Sequence, residues 1–263
     1  MAAGGTALVV IVVAVLAAVG LSSGGAAAAP RTPVPPATAQ ALTSVPIGSL
    51  VGASSHVSGL QPATQLTGPA LTADHKPQVL YIGAEFCPAC AAQRWAMVVA
   101  LSQFGTFTNL QQTRSAVQDG NIPTLSFYGS TYSSPYLTFT PVETTTNQPQ
   151  GNYYRPLETP TPAQLALWRS ASGGSLTFPF TDIGGKYLLN TSQVPPTVLQ
   201  GHSFGEIASS VGNNHTTIGA SIDAAAASMV KYLCGITGNK PAATCAAVAN
   251  VPAPVTSSAP ASK

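Results

Sequence analysis

The sequence predicts an α/β protein built around one principal domain. Three observations carry this: a β-rich run at 77–83 that leads straight into a helical stretch opening with Cys87 and Cys90, a hairpin pattern around Gly184 and Gly185, and a long apolar helical stretch after Ile218. Strands alternating with helices in this way place helices against a sheet. The 263 residues, 45% of them hydrophobic, are enough for one sizeable core once the ends are set aside.

The first thirty residues carry no charged side chain, and Ala7 to Leu21 is apolar throughout. That run is shorter than the roughly 20 residues of a full membrane span and is followed by small residues, Ala26 to Ala29, so residues 1–29 read as a signal peptide or membrane anchor. Residues 30–73, rich in Pro, Ala, Thr, Ser and Gly with Arg31 as their only formal charge, read as a linker. Short apolar pieces of it, such as Pro46 to Val51, are placed on the domain edge. The domain itself is assigned to 74–250, and the Pro-, Ala- and Ser-rich end, 251–263, is expected to be disordered.

Within the domain, Pro77 to Gly83 reads as a strand and Pro88 to Phe104 as a helix with Trp95, Val98, Val99 and Leu101 on its apolar positions. Strands follow at Ile122 to Tyr128 and Pro135 to Glu143, separated by a turn at Gly129 to Ser134. Thr161 and Gln164 form a capping-box pattern with Pro162 at the first helical position, which predicts a helix to Ser170. Leu176 to Ile183 and Lys186 to Leu189 read as strands joined through Gly184 and Gly185. Helices over Ser203 to Val211 and Ile218 to Cys234 close the domain.

Charged residues make up 7% of the chain, against about 25% in an average soluble protein. A net charge of +2 at that density offers no electrostatic footprint for nucleic acid. His56, His75, His202 and His215 lack metal-ligand spacing, so neither a metal nor another cofactor is expected. Tyr128, Tyr132, Tyr136 and Phe139 read as core and edge packing. The four cysteines fall into two close pairs, as an oxidising, extracytoplasmic compartment permits.

Cys87-Pro88-Ala89-Cys90 is the chemically informative segment. Two cysteines separated by two residues at a helix start can close a small disulfide ring. The first sulfur then lies where unpaired amide N–H groups and the positive end of the helix dipole stabilise a thiolate. Cys87 is thereby assigned as nucleophile and Cys90 as resolving thiol. A Cys-x-x-Cys pair is also half of a zinc knuckle, which Cys234 and Cys245 would have to complete. Their ten-residue spacing is wrong for a knuckle, and the turn formed by Gly235, Gly238 and Pro241 suits a structural disulfide between them instead.

The segment Ala84 to Cys90, with Phe86 before the first cysteine, resembles the active-site segment of the thioredoxin superfamily. The longer run Gly83 to Trp95, together with Ser133-Ser134-Pro135-Tyr136 and Asp182 to Tyr187, is similar to a prokaryotic family of exported thioredoxin-like proteins without an assigned activity. The resemblance covers roughly Gln78 to Cys245. It implies a thioredoxin-like fold with an insertion between the Cys-x-x-Cys helix and a cis-proline hairpin. It also implies exchange with exported protein thiols or disulfides, a redox partner in the membrane, and substrate contacts from Phe86, Phe178 and a cis-proline. Pro179 is favoured for that proline, with Pro123 and Pro196 as competitors. In this superfamily an acidic residue usually stands in the strand before the cysteines; here that position is Tyr81. Glu85 is expected to be a solvated loop carboxylate and Arg94 a surface charge. The competing function is a binding module with an inert disulfide: a peptide holder, or a copper carrier with His202 or His215 as ligand.

Overall fold

The structure, a computed structural model, describes residues 30–257. The leader at 1–29 and the last residues of the tail, from 258, lie outside the described residues. The strands are β1 (Thr32–Pro33), β2 (Ala63–Gln65), β3 (Thr72–Ala73), β4 (Lys76–Gly83), β5 (Thr106–Thr108), β6 (Gln111–Arg114), β7 (Pro123–Ser126), β8 (Thr131–Ser133), β9 (Thr138–Glu143), β10 (Thr145–Gln150), β11 (Tyr153–Pro156), β12 (Phe180–Ile183), β13 (Tyr187–Leu189) and β14 (Val255–Ser257). The helices are α1 (Pro36–Thr43), α2 (Ile47–Ser54), α3 (Pro88–Ser102), α4 (Pro162–Ala171), α5 (Phe204–Ser210), α6 (Thr217–Ile236) and α7 (Ala242–Ala247). None of these helices is long and apolar enough to cross a membrane.

The chain is thus mixed α/β with several sheets. The largest runs β14-β2-β13-β12-β4, with β9 parallel to β4 and β3 paired at the start of β4. Centrally, β4 pairs with β9 from Gln78↔Thr138 to Gly83↔Glu143 and with antiparallel β12 from Phe180↔Ile82 to Ile183↔Val79. Alternate side chains on a strand face opposite ways. Val79 and Tyr81 accordingly pack into the cluster shared with α3 and α6, while Leu80 and Ile82 pack with Phe180, Val142 and Trp168 of α4. Both faces of β4 are therefore covered, as its unbroken apolar run requires.

The β12–β13 hairpin turns through Gly184 and Gly185, both at positive φ, the conformation glycine adopts without steric cost. Several of the expected strands are shortened: only Phe180–Ile183 of the run from Leu176 is strand, because Pro179 has no N–H to give to a ladder, Pro135 to Leu137 precede β9, and β7 covers only Pro123–Ser126 of the run from Ile122 to Tyr128. The expected turn at 129–134 contains β8, which pairs with β5. α4 carries the complete Thr161/Gln164 capping box.

Residues 30–73 are not the linker expected from their composition. α1 and α2 form there, and α2 packs on α6. Pro36 starts α1 at a position where a missing N–H is harmless. Leu42, Val45, Leu50, Ala53 and Ala63 are buried. A few apolar residues at the right spacing outweigh a Pro- and Ala-rich average. The tail differs likewise: Val251 is buried, and β14 pairs with β2 in parallel.

Two outcomes follow from this packing. Leu50→Ala should lower unfolding free energy by about 3 kcal/mol in denaturant titrations, as for a core leucine; a change near zero would return the segment to the status of a linker. Asp223, on α6, accepts the Gly212 N–H at 2.9 Å, and burial pushes its pKa from 3.8 to about 7. A carboxyl whose pKa is raised by folding contributes stability at low pH that is lost as pH rises, here between about pH 4 and 7. Asp223→Asn should flatten that part of the stability–pH curve.

Candidate functional site

The site is assembled at the end of β4. Gly83 leaves the strand beside the Tyr81 hydroxyl, where a Cβ would collide with that buried ring and its oxygen. Only glycine allows so close an approach. The following loop is pinned by extending the β4–β9 pairing: the Thr144 N–H donates to Gly83 O at 2.8 Å and the Glu85 N–H to Thr145 O at 2.9 Å. The Ala116 N–H donates to Phe86 O at 3.0 Å, which fixes the residue before Cys87.

Cys87 caps α3. Its backbone is extended, Pro88 occupies the first turn, and its sulfur accepts the Cys90 backbone N–H at 3.1 Å. Both cysteines are free thiols; Cys87 is 5% exposed and Cys90 fully buried. A hydrogen bond from the Cys90 thiol holds the Cys87 pKa below the ordinary thiol range. Backbone N–H groups of Cys90 and Ala89 and the Arg94 guanidinium act in the same direction, and burial opposes them. Burial pushes the Cys90 thiol well up. The two sulfurs thus differ as attacking and resolving groups must: one is stabilised as thiolate at a helix end, the other is kept protonated within the protein.

Cys87 and Cys90 pack with Ala84, Phe86, Ala89 and Phe178, so the structure brings Phe86 and Phe178 to the pair. The Phe178–Pro179 peptide is cis, and those preceding Pro123 and Pro196 are not. Tyr154 stacks on Phe86 with ring centroids 4.2 Å apart, Phe178 stands edge-on to Phe86, and Trp168 lies behind Phe178 at 5.1 Å. This gives an aromatic rim around the sulfurs. Cys234 and Cys245 are bonded to each other across α6 and α7 and pack in the main core, apart from the Cys87 cluster. Their bond removes the ligands a four-cysteine zinc site would need. No group of three or more His, Cys, Asp or Glu side chains among the described residues is placed to hold a metal, and all four histidines are exposed.

Two expectations are overturned. Glu85 is not a solvated carboxylate: it is 1% exposed, takes both oxygens to Arg31 Nη1 at 3.0 and 2.9 Å, and accepts from Ser126 Oγ at 2.6 Å. Arg94 is not on the surface. Residues 90–101 of α3 are all buried, and a helix enclosed on every side carries its charges inward. Arg94 Nε and Nη2 donate to Glu143 at 2.8 and 2.7 Å, and Nη2 also donates to Ala84 O at 2.8 Å. Glu158 completes the layer by accepting the Glu143 N–H at 2.7 Å. Tyr81 keeps a buried hydroxyl without a hydrogen-bond partner, and burial pushes its pKa well up, so it is neutral.

Sequence reasoning missed Arg31, Ser126, Glu143, Glu158 and Tyr154. The available signal was scarcity: with eight acidic residues in the chain, a glutamate closing an otherwise uncharged strand, as Glu143 does, is a candidate for a buried ion pair.

Cys90→Ala removes the thiol that donates to Cys87, so iodoacetamide should label Cys87 about three- to tenfold more slowly at pH 7 than in the wild-type dithiol. Faster labelling, read by mass spectrometry, would mean that the thiol merely shields the nucleophile.

Residues 63–155, from β2 to β11, are similar to a family described as a domain of unknown function (DUF929); the stretch includes both cysteines, Glu85, Arg94 and Glu143 and ends before Pro179. No curated protein and no solved structure matches the chain.

Proposed function

We propose that the chain is a thioredoxin-like thiol:disulfide oxidoreductase acting outside the cytoplasm on protein thiols or disulfides. The observation that carries the reading is the asymmetry of the pair: Cys87 caps α3 with its thiolate favoured, and Cys90, one turn on, is buried with its proton retained. The sheet order β9-β4-β12-β13, with the cysteine helix directly after β4 and the long helix α6 after the hairpin, supports the thioredoxin-like reading. So does the segment from α3 to β12, which adds β5 to β8 before the core strand β9 and β10, β11 and α4 after it. Phe178 beside the sulfurs supports a substrate-facing role for it and for the adjoining Pro179, with Phe86 edge-on to it in the rim.

The Cys234–Cys245 disulfide and the apolar run before residue 29 support an extracytoplasmic address, secreted or anchored. Exported proteins are then the substrates, and a membrane redox partner resets the pair. A second reading, a binding module whose pair does no exchange, draws on one observation, the 5% exposure of Cys87.

Thiol trapping in glutathione or dithiothreitol buffers separates the two. A potential for the Cys87–Cys90 pair between about −120 and −270 mV is expected of an exchange protein; one below about −300 mV would make the pair a structural bridge and end the enzymatic reading.

A further inference from the structure

The arrangement beneath the sulfurs bears on the direction of exchange. Arg94 lies four residues after Cys90 on α3, one turn along the same face. Its side chain is 0% exposed, its Nη2 reaches Ala84 O, and Ala84 packs against both cysteines. Two of its nitrogens are taken by Glu143, while Nη1 is buried without a hydrogen-bond partner. The other charges nearby are accounted for: Arg31 and Ser126 hold Glu85, the Glu143 N–H holds Glu158, and Tyr81 puts a neutral phenol where the superfamily usually has an acid.

We infer that the Cys87–Cys90 pair serves as a disulfide donor, oxidising dithiols of exported proteins, and that Arg94 is the positioning residue that favours this direction. The inference rests on the exchange activity proposed above. A fixed guanidinium near the pair stabilises the Cys87 thiolate released on reduction more than it stabilises the uncharged disulfide, and a stabilised reduced form makes a stronger oxidant.

In the first step a substrate thiolate attacks Cys87 Sγ of the Cys87–Cys90 disulfide, the internal S–S bond breaks, and Cys90 leaves with the electron pair. The second substrate thiolate then attacks the substrate sulfur of the mixed disulfide, and Cys87 leaves as thiolate. The substrate dithiol has lost two electrons and two protons. One proton is held by Cys90 and shared with the Cys87 thiolate; the other passes to solvent. A second disulfide compound, glutathione disulfide in the assay, restores the pair.

The test is the equilibrium constant of the pair with glutathione, measured on the full chain. Glu143→Gln leaves the Arg94 charge uncompensated and should shift the equilibrium at least tenfold toward the dithiol, about 30 mV upward for a two-electron couple. Arg94→Gln should shift it the other way, and Arg94→Lys, which keeps the charge, should recover most of that loss. Should Arg94→Gln fail to fold, the double variant Arg94→Gln with Glu143→Gln tests the same charge without stranding its partner: its equilibrium should lie toward the disulfide relative to that of Glu143→Gln. Equal constants for Glu143→Gln and the double variant, or the reverse order, would overturn the inference while leaving exchange intact. A wild-type pair that does not exchange with glutathione at all would overturn both.

Discussion

The ion pair between Arg94 and Glu143 is the constraint on which the site depends. It joins the cysteine helix to the strand parallel to β4 across 49 residues of sequence, with both side chains 0% exposed. A buried charge without its partner typically costs about 3 to 5 kcal/mol, so removing either residue weakens the fold at this position. The third contact of Arg94, to Ala84 O, extends the constraint to the loop that delivers Phe86 and Cys87. Helix, strand and loop are thereby held in one geometry, with Cys87 at the helix start and Cys90 buried one turn on.

A second pair, Arg31 with Glu85, does the same from the outside. It ties the residue before β1 to the cysteine loop, and the Arg31 guanidinium also lies over the Tyr128 ring at 4.6 Å. Glu85, Glu143 and Glu158 are three of only eight acidic residues in the chain, and all lie around this loop. Arg31, Glu85, Arg94, Glu143 and Glu158 thus gather around the cysteine loop in a chain with few charges, and of these Arg94 acts on both sulfurs.

Much of this was legible in the sequence. The Cys-x-x-Cys pair after a β-rich run, the Thr161 capping box, the glycine hairpin and the long α6 are local signals, each complete within a few residues. What escaped depended on partners far away in the chain. Glu85 is buried because Arg31 lies 54 residues before it, and Arg94 because Glu143 lies 49 residues after it; neither separation leaves a periodic trace. The short strands β5, β6, β10 and β11 are polar and gain their pairing from neighbours, which conceals them in the same way. α1 and α2 escaped for a different reason: a compositional average hid the few leucines and valines that reach the core.

The division of labour between the two sulfurs is most directly tested by trapping. A Cys90→Ser chain exposed to glutathione disulfide should accumulate a stable mixed disulfide at Cys87, located by peptide mass, while Cys87→Ser should form none at Cys90. Adducts at Cys90 alone, or at neither cysteine in the folded protein, would contradict the account.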